Sequence, residues 1–313
     1  MRVLVAEPLG QAGLDRLAQE HEVDVRLSLT RDELIAALPD YDALIVRSQV
    51  KVDAPAIAAG TRLKVVGRAG VGVDNIELDA ATGAGIAVVN APTANTLAAA
   101  EHTMALILGL SRRVAAADAS VRRGEWRRAD FMGTELGGKT LGIVGLGRVG
   151  LAVADRARAF AMTLLGSDPI ADPAVAAAHE VSVVEVDALL ERSDIVTLHV
   201  PLVPQTRGML DAAGLARMKH GALLINVARG GLVDEAELAR ALTDGRLGGA
   251  AIDVFENEPV GASPLLDAPN TVLTPHLGAS TAEAQDRASL EVVDGVLDVL
   301  AGRPATFQVN RSR

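Results

Sequence analysis

The sequence contains no cysteine. Disulfide scaffolds, thiolate nucleophiles and zinc sites built on thiolates are therefore excluded. Aromatic residues are almost as scarce, at 2% of 313 residues, with a single tryptophan and a single tyrosine. Apolar residues still make up 49%, largely Ala, Val and Leu, which suits tight helix–sheet packing and argues against disorder. Positive charge is in deficit: 30 Lys and Arg stand against 40 Asp and Glu, a formal net charge of −10. A general nucleic-acid binder needs a basic face to neutralise phosphates, so no nucleic-acid partner is expected. A small anionic substrate is still compatible, provided a local group of arginines overcomes the overall field. Long apolar runs are missing too. The most apolar helix-like stretch, "TMALILGLS", is too short to span a bilayer and follows Glu101 and His102. The opening "MRVLVAEPLG" stops its apolar run at Glu7 and Pro8, and reads as a first strand rather than a signal peptide. The expectation is a soluble, cytoplasmic protein with no membrane partner.

What is present is alternation. Short apolar strands are separated by helix-length amphipathic segments, the pattern of parallel α/β sheets. The first series is "RVLVA", "VDVRL", "ALIVR", "KVVGR" and "IAVVN". The second is "LGIVG", "MTLLGS", "DIVTLHV", "ALLINVA", "GAAIDVF" and "NTVLTPH". Two doubly wound units in tandem are predicted. Between them, residues 94–124 read as helical almost throughout, a connection that either bridges two domains or packs against a second subunit. A further helix from Thr281 to about Leu300 is followed by too little chain for another domain, so it is expected to cross back and cover the first unit. The expected domains are residues 1–94 with 283–313, and residues 95–282. No low-complexity tract or short-period repeat is visible.

The second series opens on "GIVGLGRVGLAVADRARAFAMTLLGSD". Gly145, Gly147 and Gly150 have the spacing G-x-G-x-x-G, directly after a buried-strand run. In such a turn the middle glycine lets the backbone approach a pyrophosphate, and the third lets the helix pack closely on the sheet. The predicted helix from Arg148 to Phe160 would aim its N-terminal N–H groups at the phosphates. Asp168 ends the next strand, where a carboxylate accepts from both ribose hydroxyls and repels an additional phosphate, favouring NAD over NADP. A second glycine cluster, "GRAGVGVDN" at 67–75, lacks the third glycine, and its next strand ends in Asn90 rather than an acid. It reads either as a backbone nest for a substrate carboxylate or as a plain strand-to-helix turn.

Ligands of open α/β sheets bind beyond the carboxyl ends of the strands. Three candidates fall there: Arg229 after "ALLINVA", Glu258 in "DVFENEP", and His276 after "NTVLTP". Together they suit hydride transfer on a hydroxy acid. A histidine takes the hydroxyl proton, a carboxylate fixes its tautomer, and a guanidinium holds the substrate carboxylate and polarises the carbonyl. Each also has a structural reading: a helix-terminus contact, a loop charge and a satisfied strand-end residue. Glu256 reads as a solvated loop charge. His21, His102, His179, His199 and His220 have no metal-ligand spacing and read as structural or surface residues, so no metal is expected. "DEAEL" at 234–238 reads as a capping box of Asp234 with Glu237.

The stretches "FMGTELGGKTLGIVGLGRVG", "NVARGGLVDE", "AIDVFENEP" and "TPHLGAST" together resemble the D-isomer-specific 2-hydroxyacid dehydrogenases, over essentially the whole chain. "GRAGVGVDN" and "FMGTEL" point to the phosphoglycerate-oxidising branch of that family. The resemblance implies a Rossmann dinucleotide-binding domain and a discontinuous flavodoxin-like substrate-binding domain. It implies Arg229, Glu258 and His276 as the catalytic set, with His276 the acid–base and Glu258 its partner. Implied NAD contacts are Arg148, Val149, Asp168, Val200, Pro201, Val227, Ala228, Asp253, Gly278 and Ala279, with Asp253 meeting the nicotinamide amide. The substrate would lie against Ala69, Gly70 and Val71, with Arg47 and Ser48 near its phosphate and Arg128 reaching in from a neighbouring subunit; Arg127 and Arg68 are secondary candidates.

The activity so implied is NAD-dependent oxidation of 3-phospho-D-glycerate to 3-phosphohydroxypyruvate, the first step of the phosphorylated route to L-serine, by a homodimer or higher homo-oligomer. Ala129-Asp130 departs from the basic residues many relatives carry after Arg128, which leaves the phosphate pocket less positive. Long relatives continue into regulatory domains where this sequence stops, and a short natural form and a catalytic core both fit that. The alternatives are a reductase of hydroxypyruvate, glyoxylate or D-lactate type on the same scaffold, and an NAD-sensing corepressor-like binding protein.

Overall fold

The computed structural model describes residues 1–311; residues 312 and 313, which the expected first domain includes, lie outside the described residues. The chain divides into two compact units, Met1–Asn95 together with the stretch from Ala279 onward, and Thr96–Gly278.

The first unit is a five-stranded parallel sheet of β1 (Arg2–Val5), β2 (Glu22–Val25), β3 (Ala43–Val46), β4 (Val65–Arg68) and β5 (Ala87–Asn90). Its order is β2-β1-β3-β4-β5, the flavodoxin-like arrangement. The central strand β3 is buried along its whole length, as a parallel strand covered on both faces must be. One face is covered by helices Gln11–Ala18 and Ala282–Leu300, the latter burying Val292, Val293, Val296, Leu297 and Leu300. Each such aliphatic side chain contributes about 1.5–3 kcal/mol by leaving water. With so few aromatic rings, close approach does the packing: a methyl group at Gly67 would meet Val292 and Val296 at under 3.0 Å. Thr281 starts the long helix by accepting from the Ala284 N–H at 3.1 Å.

The second unit is a seven-stranded parallel sheet of β6 (Thr140–Val144), β7 (Thr163–Ser167), β8 (Ser182–Val183), β9 (Ile195–Leu198), β10 (Leu223–Asn226), β11 (Gly249–Ile252) and β12 (Thr271–Leu273). Its order is β12-β11-β10-β9-β6-β7-β8, so the direction of winding reverses between β6 and β9. That switch point is where open α/β sheets take their ligands. Strand β8 has only two residues, both exposed, and gives no hydrophobic pattern to read.

Residues 94–124 are helical almost throughout, as expected, with one break, and one other local expectation is corrected. The helical stretch 94–124 is two helices, Thr96–Ser111 and Val114–Arg122. Arg113 breaks it with φ 54°, a left-handed backbone, while its guanidinium donates to Asn270 Oδ1 at 2.6 Å. The capping box at 234–238 is one-sided. Asp234 accepts from the Ala236 and Glu237 N–H groups, but the Glu237 carboxylate turns outward to pair with Arg240. No described helix is long and apolar enough to cross a membrane.

Candidate active site

The glycine-rich turn follows β6 at the switch point, and each glycine has its own steric reason. Gly145 sits at φ 97°, and a Cβ there would come within 2.7 Å of the His199 backbone. A Cβ at Gly150 would land on the Gly145 carbonyl oxygen, so the helix Arg148–Ala159 can rest on the turn only with glycine there. Gly147 is different: it faces open space and caps the helix with no side-chain hydrogen bond. The first N–H groups of the helix are thus presented bare, the arrangement that receives a phosphate. Asp168 follows β7, its carboxylate accepting from the Leu146 N–H at 2.9 Å and the Ile170 N–H at 3.0 Å. This fastens the acid to the glycine turn and leaves it lone pairs for ribose hydroxyls. The residues present fit a dinucleotide. Val200 and Pro201 follow β9, and Val227 and Ala228 follow β10, at the same carboxyl edge of the sheet.

An imidazole–carboxylate pair lies at that edge too. Nδ1 of His276 is 2.6 Å from Oε2 of Glu258, and Oε1 of Glu258 accepts from the Phe255 N–H at 3.0 Å. Burial pushes the Glu258 carboxyl up, but the bonds from His276 and Phe255 outweigh it and hold the group below its ordinary value. Glu258 is therefore an anion that fixes the His276 proton on Nδ1 and leaves Nε2 to exchange one. Arg229 follows β10, where Asn226 holds the turn by donating to the Arg229 carbonyl at 2.8 Å and accepting from the Ala228 N–H at 3.0 Å. Gly230 presses on the Phe255 carbonyl, which brings the end of β10 against the loop that carries Glu258. Glu256 is exposed, its N–H donating to Glu235 at 2.7 Å.

His276 itself has φ 55°. A left-handed backbone costs a non-glycine residue roughly 1–2 kcal/mol. It is held there from beneath by Asp253, which has no exposed surface. The Asp253 carbonyl accepts from the His276 N–H at 2.8 Å, and its carboxylate from Leu277 N–H at 2.7 Å and Gly278 N–H at 2.9 Å. Thr274 Oγ1 also donates to it at 2.6 Å, and Nε2 of His102 lies 3.1 Å away. Burial raises the Asp253 carboxyl, and these donors more than offset it, so it stays below its ordinary value. His102, read from sequence as structural or surface, is thus tied into the turn that carries His276.

In the first unit, the loop of Arg47 and Ser48 is clamped by a buried acid the sequence reading passed over. Glu7 accepts from the N–H groups of Arg47 at 2.6 Å, Gln49 at 3.1 Å and Val50 at 3.1 Å. Asn75 closes the same loop by donating to the carbonyls of Arg47 at 2.8 Å and Val50 at 2.7 Å. The sequence signal for Glu7 was an acid just past a strand that is apolar after Arg2. In the second glycine cluster, Ala69 N–H is bonded to the Val46 carbonyl and Gly70 N–H to the Arg68 carbonyl. The donors of any nest therefore move on to Val71 and Gly72, with Asn90 anchoring the Val71 carbonyl at 2.6 Å. Gly70, at φ 149°, has the Arg68 guanidinium lying where a side chain would be. Arg128 stands in an exposed segment with Trp126 and Met132, and Arg127 is engaged by Asp130.

Comparison with known proteins agrees with this geometry. Residues 104–278 match the family described as D-isomer specific 2-hydroxyacid dehydrogenase, NAD binding domain. The D-3-phosphoglycerate dehydrogenase of Mycobacterium tuberculosis (strain ATCC 25618 / H37Rv) is 49% identical over 308 residues, 98% of this chain and 58% of that protein. This chain spans little more than half the length of such curated relatives. Among solved structures, the TT0316 protein from Thermus thermophilus superposes with a TM-score of 0.92 at 38% identity, over 99% of this chain and 100% of that one. A glyoxylate reductase from Paecilomyes thermophila gives 0.90 at 31% identity, over 99% and 98%. A glycine turn fit for a dinucleotide, an imidazole–carboxylate pair on the same sheet edge and these likenesses have one reading: the chain belongs to the D-isomer-specific 2-hydroxyacid dehydrogenases.

Proposed function

We propose that the protein oxidises 3-phospho-D-glycerate at C2 to 3-phosphohydroxypyruvate with NAD, feeding L-serine synthesis. The observation that carries the reading is the 2.6 Å contact of His276 with Glu258 on the carboxyl edge of a dinucleotide-binding sheet. His276 takes the C2 hydroxyl proton on Nε2, and Glu258 stabilises the imidazolium that results. Arg229 holds the substrate carboxylate and polarises the carbonyl in the reverse direction. Hydride acceptance from C2 is the chemistry NAD supplies when bound. Arg148, Val149 and the glycine turn would hold its pyrophosphate, Asp168 its adenosine ribose, and Val200, Pro201, Val227, Ala228, Asp253, Gly278 and Ala279 the remainder. Residues 1–94 with 283–313 would be the substrate-binding domain and residues 95–282 the dinucleotide-binding one. In the former, Arg47 and Ser48 recognise the phosphate, and Ala69, Gly70 and Val71 pack against the carboxylate end.

A phosphorylated substrate is supported by the name of relatives such as the mycobacterial enzyme and by the clamped Arg47 loop. One observation favours the second reading, an unphosphorylated 2-keto acid such as glyoxylate or hydroxypyruvate: Asp130 engages Arg127 beside Arg128 and lowers the positive charge there. NADH oxidation with 3-phosphohydroxypyruvate against hydroxypyruvate and glyoxylate separates the two. A higher kcat/KM for the phosphorylated compound is expected, and equal values would hand the assignment to the second reading.

A cytoplasmic homodimer goes with this reading, with Arg128 offered to the partner's substrate. In support, Val114, Val121, Trp126 and Met132 are 55%, 56%, 85% and 82% exposed along one segment. Side chains of this kind are normally removed from water by a partner. Gel filtration with light scattering tests it: a dimer mass is expected, and a monomer at micromolar concentration would refute it.

A further inference from the structure

We propose that His102 is a positioning residue of the catalytic site, holding the imidazole of His276 in register with Glu258 through the buried Asp253 carboxylate. The inference rests on the dehydrogenase reading above and adds a residue to it. Four donors converge on Asp253: Leu277 N–H, Thr274 Oγ1 and His102 Nε2 on Oδ1, and Gly278 N–H on Oδ2. Two of them are the peptide groups immediately after His276. The carboxylate therefore bonds the very backbone that must stay left-handed for the His276 ring to reach Glu258 at 2.6 Å.

Three of the four donors come from the 274–278 turn itself. Those three tie the turn to Asp253 at the end of β11, whose own N–H is bonded to the Asn226 carbonyl, and the fourth ties the carboxylate to a separate helix. His102 lies in helix Thr96–Ser111, which is anchored in the core of the unit by Ala99, Ala100, Thr103, Met104 and Ile107. Its Nε2 touches both Asp253 Oδ1 at 3.1 Å and Thr274 Oγ1 at 3.2 Å. The Thr274 hydroxyl proton is already given to Asp253 at 2.6 Å, so Thr274 can only accept from His102. Both contacts thus require the proton on Nε2, and His102 donates to the two at once. Removing it leaves the carboxylate short of a donor on a buried oxygen, and a buried acid in that position moves or takes up a proton. Either response slackens the hold on Leu277 and Gly278, and with it the aim of His276.

The test uses His102→Leu, His102→Gln and Thr274→Val in the full chain. Two readouts are compared: steady-state kinetics, and the His276 Hδ1 proton resonance of the protein without cofactor, which a 2.6 Å bond to a carboxylate places far downfield. His102→Leu is expected to lower kcat ~30-fold and to raise the NADH dissociation constant by no more than ~10-fold, since the misplaced imidazole costs rate while Asp253 and Gly278 are only two of the cofactor contacts. The downfield resonance should shift upfield or broaden away. His102→Gln, whose amide can donate at similar reach, should restore kcat to within ~5-fold and keep the resonance. Thr274→Val should act in the same direction as Leu, and carries the test if His102→Leu does not fold.

A merely structural His102 would lower the melting temperature while leaving kcat and the resonance in place, and that result overturns the proposal. So does a glutamine variant no better than leucine. If the wild-type protein turns over no 2-hydroxy or 2-keto acid, the dehydrogenase reading fails, yet the resonance still reports whether His102 holds His276.

Discussion

The chain carries two glycine turns of similar wording, "GRAGVGVDN" and "GLGRVG", each following a buried parallel strand, and their surroundings are opposite. At Gly147 the side-chain space is open and a helix begins at once, with its first N–H groups uncapped. At Gly70 that space holds the Arg68 guanidinium, the amides of Ala69 and Gly70 are already bonded, and the next helix waits until Leu78. The first turn presents backbone dipoles, and the second has a guanidinium packed over it. A dipole array suits a diffuse pyrophosphate that must come and go with its cofactor; a guanidinium suits a compact carboxylate recognised by its planar geometry. Similarity of glycine spacing therefore says little about the ligand, and what stands beside the glycines says much more.

The widest gap between the two regions should appear in His276→Asn. It is expected to lower kcat ~1,000-fold while NADH still quenches protein fluorescence with near-normal affinity. Normal turnover would remove the proton-transfer role from the second unit. Next, Arg47→Ala should cut kcat/KM for 3-phosphohydroxypyruvate ~100-fold and that for hydroxypyruvate only ~3-fold. Arg229→Ala should depress both substrates alike, because both share the carboxylate it is proposed to hold; a phosphate-selective effect there would exchange the roles given to the two arginines.

A smaller contrast lies within the dinucleotide turn. Gly147→Ala should leave the melting temperature unchanged and weaken NADH binding ~10-fold, since its new methyl group projects into open space where the pyrophosphate approaches. Gly150→Ala should destabilise the fold by about 1–3 kcal/mol, because the methyl group meets the Gly145 carbonyl. Equal thermal effects would contradict the division of labour between these glycines.

The least effect concerns His199, beside the same turn. Burial pulls its pKa from an ordinary 6.5 to about 4. The unfolded chain then takes up the proton first, so stability falls as pH drops from about 6.5 to about 4 and is no longer altered by this group below that. Melting curves of His199→Asn should be flatter than wild type across that interval; an unchanged slope would assign the acid sensitivity elsewhere.

The parts of this molecule that were legible in its sequence are those written in short-range pattern. "RVLVA" and "ALIVR" announce doubly covered strands because such strands tolerate little but aliphatic residues. The relation of Gly145, Gly147, Gly150 and Asp168 is legible because strand, turn and helix fix their spacing. Glu258 and His276 were singled out by a positional rule, as residues past strand ends, and their side chains do meet. What stayed hidden depends on long-range closure. His102 meets Asp253 across 151 residues, and nothing about an isolated histidine on a helix signals that. Glu7 looks like any strand-end acid until its three backbone donors are seen. Strand β8 is too short for a period, and the left-handed breaks at Arg113 and His276 fall on residue types that give no warning of them.

The return of helix Ala282–Leu300 to the sheet of the first unit has a consequence for synthesis. That sheet's strands leave the ribosome before the second unit, but the helix that shields one face of Val3, Val5, Ile45 and Val65 is made after it. The intervening Thr96–Gly278 is contiguous and can reach its native state as it emerges, while the earlier strands wait with one side uncovered. A nascent chain arrested near residue 280 should therefore hold a protease-resistant second unit behind a protease-sensitive first segment, and the two should become equally resistant only once helix Ala282–Leu300 has been translated.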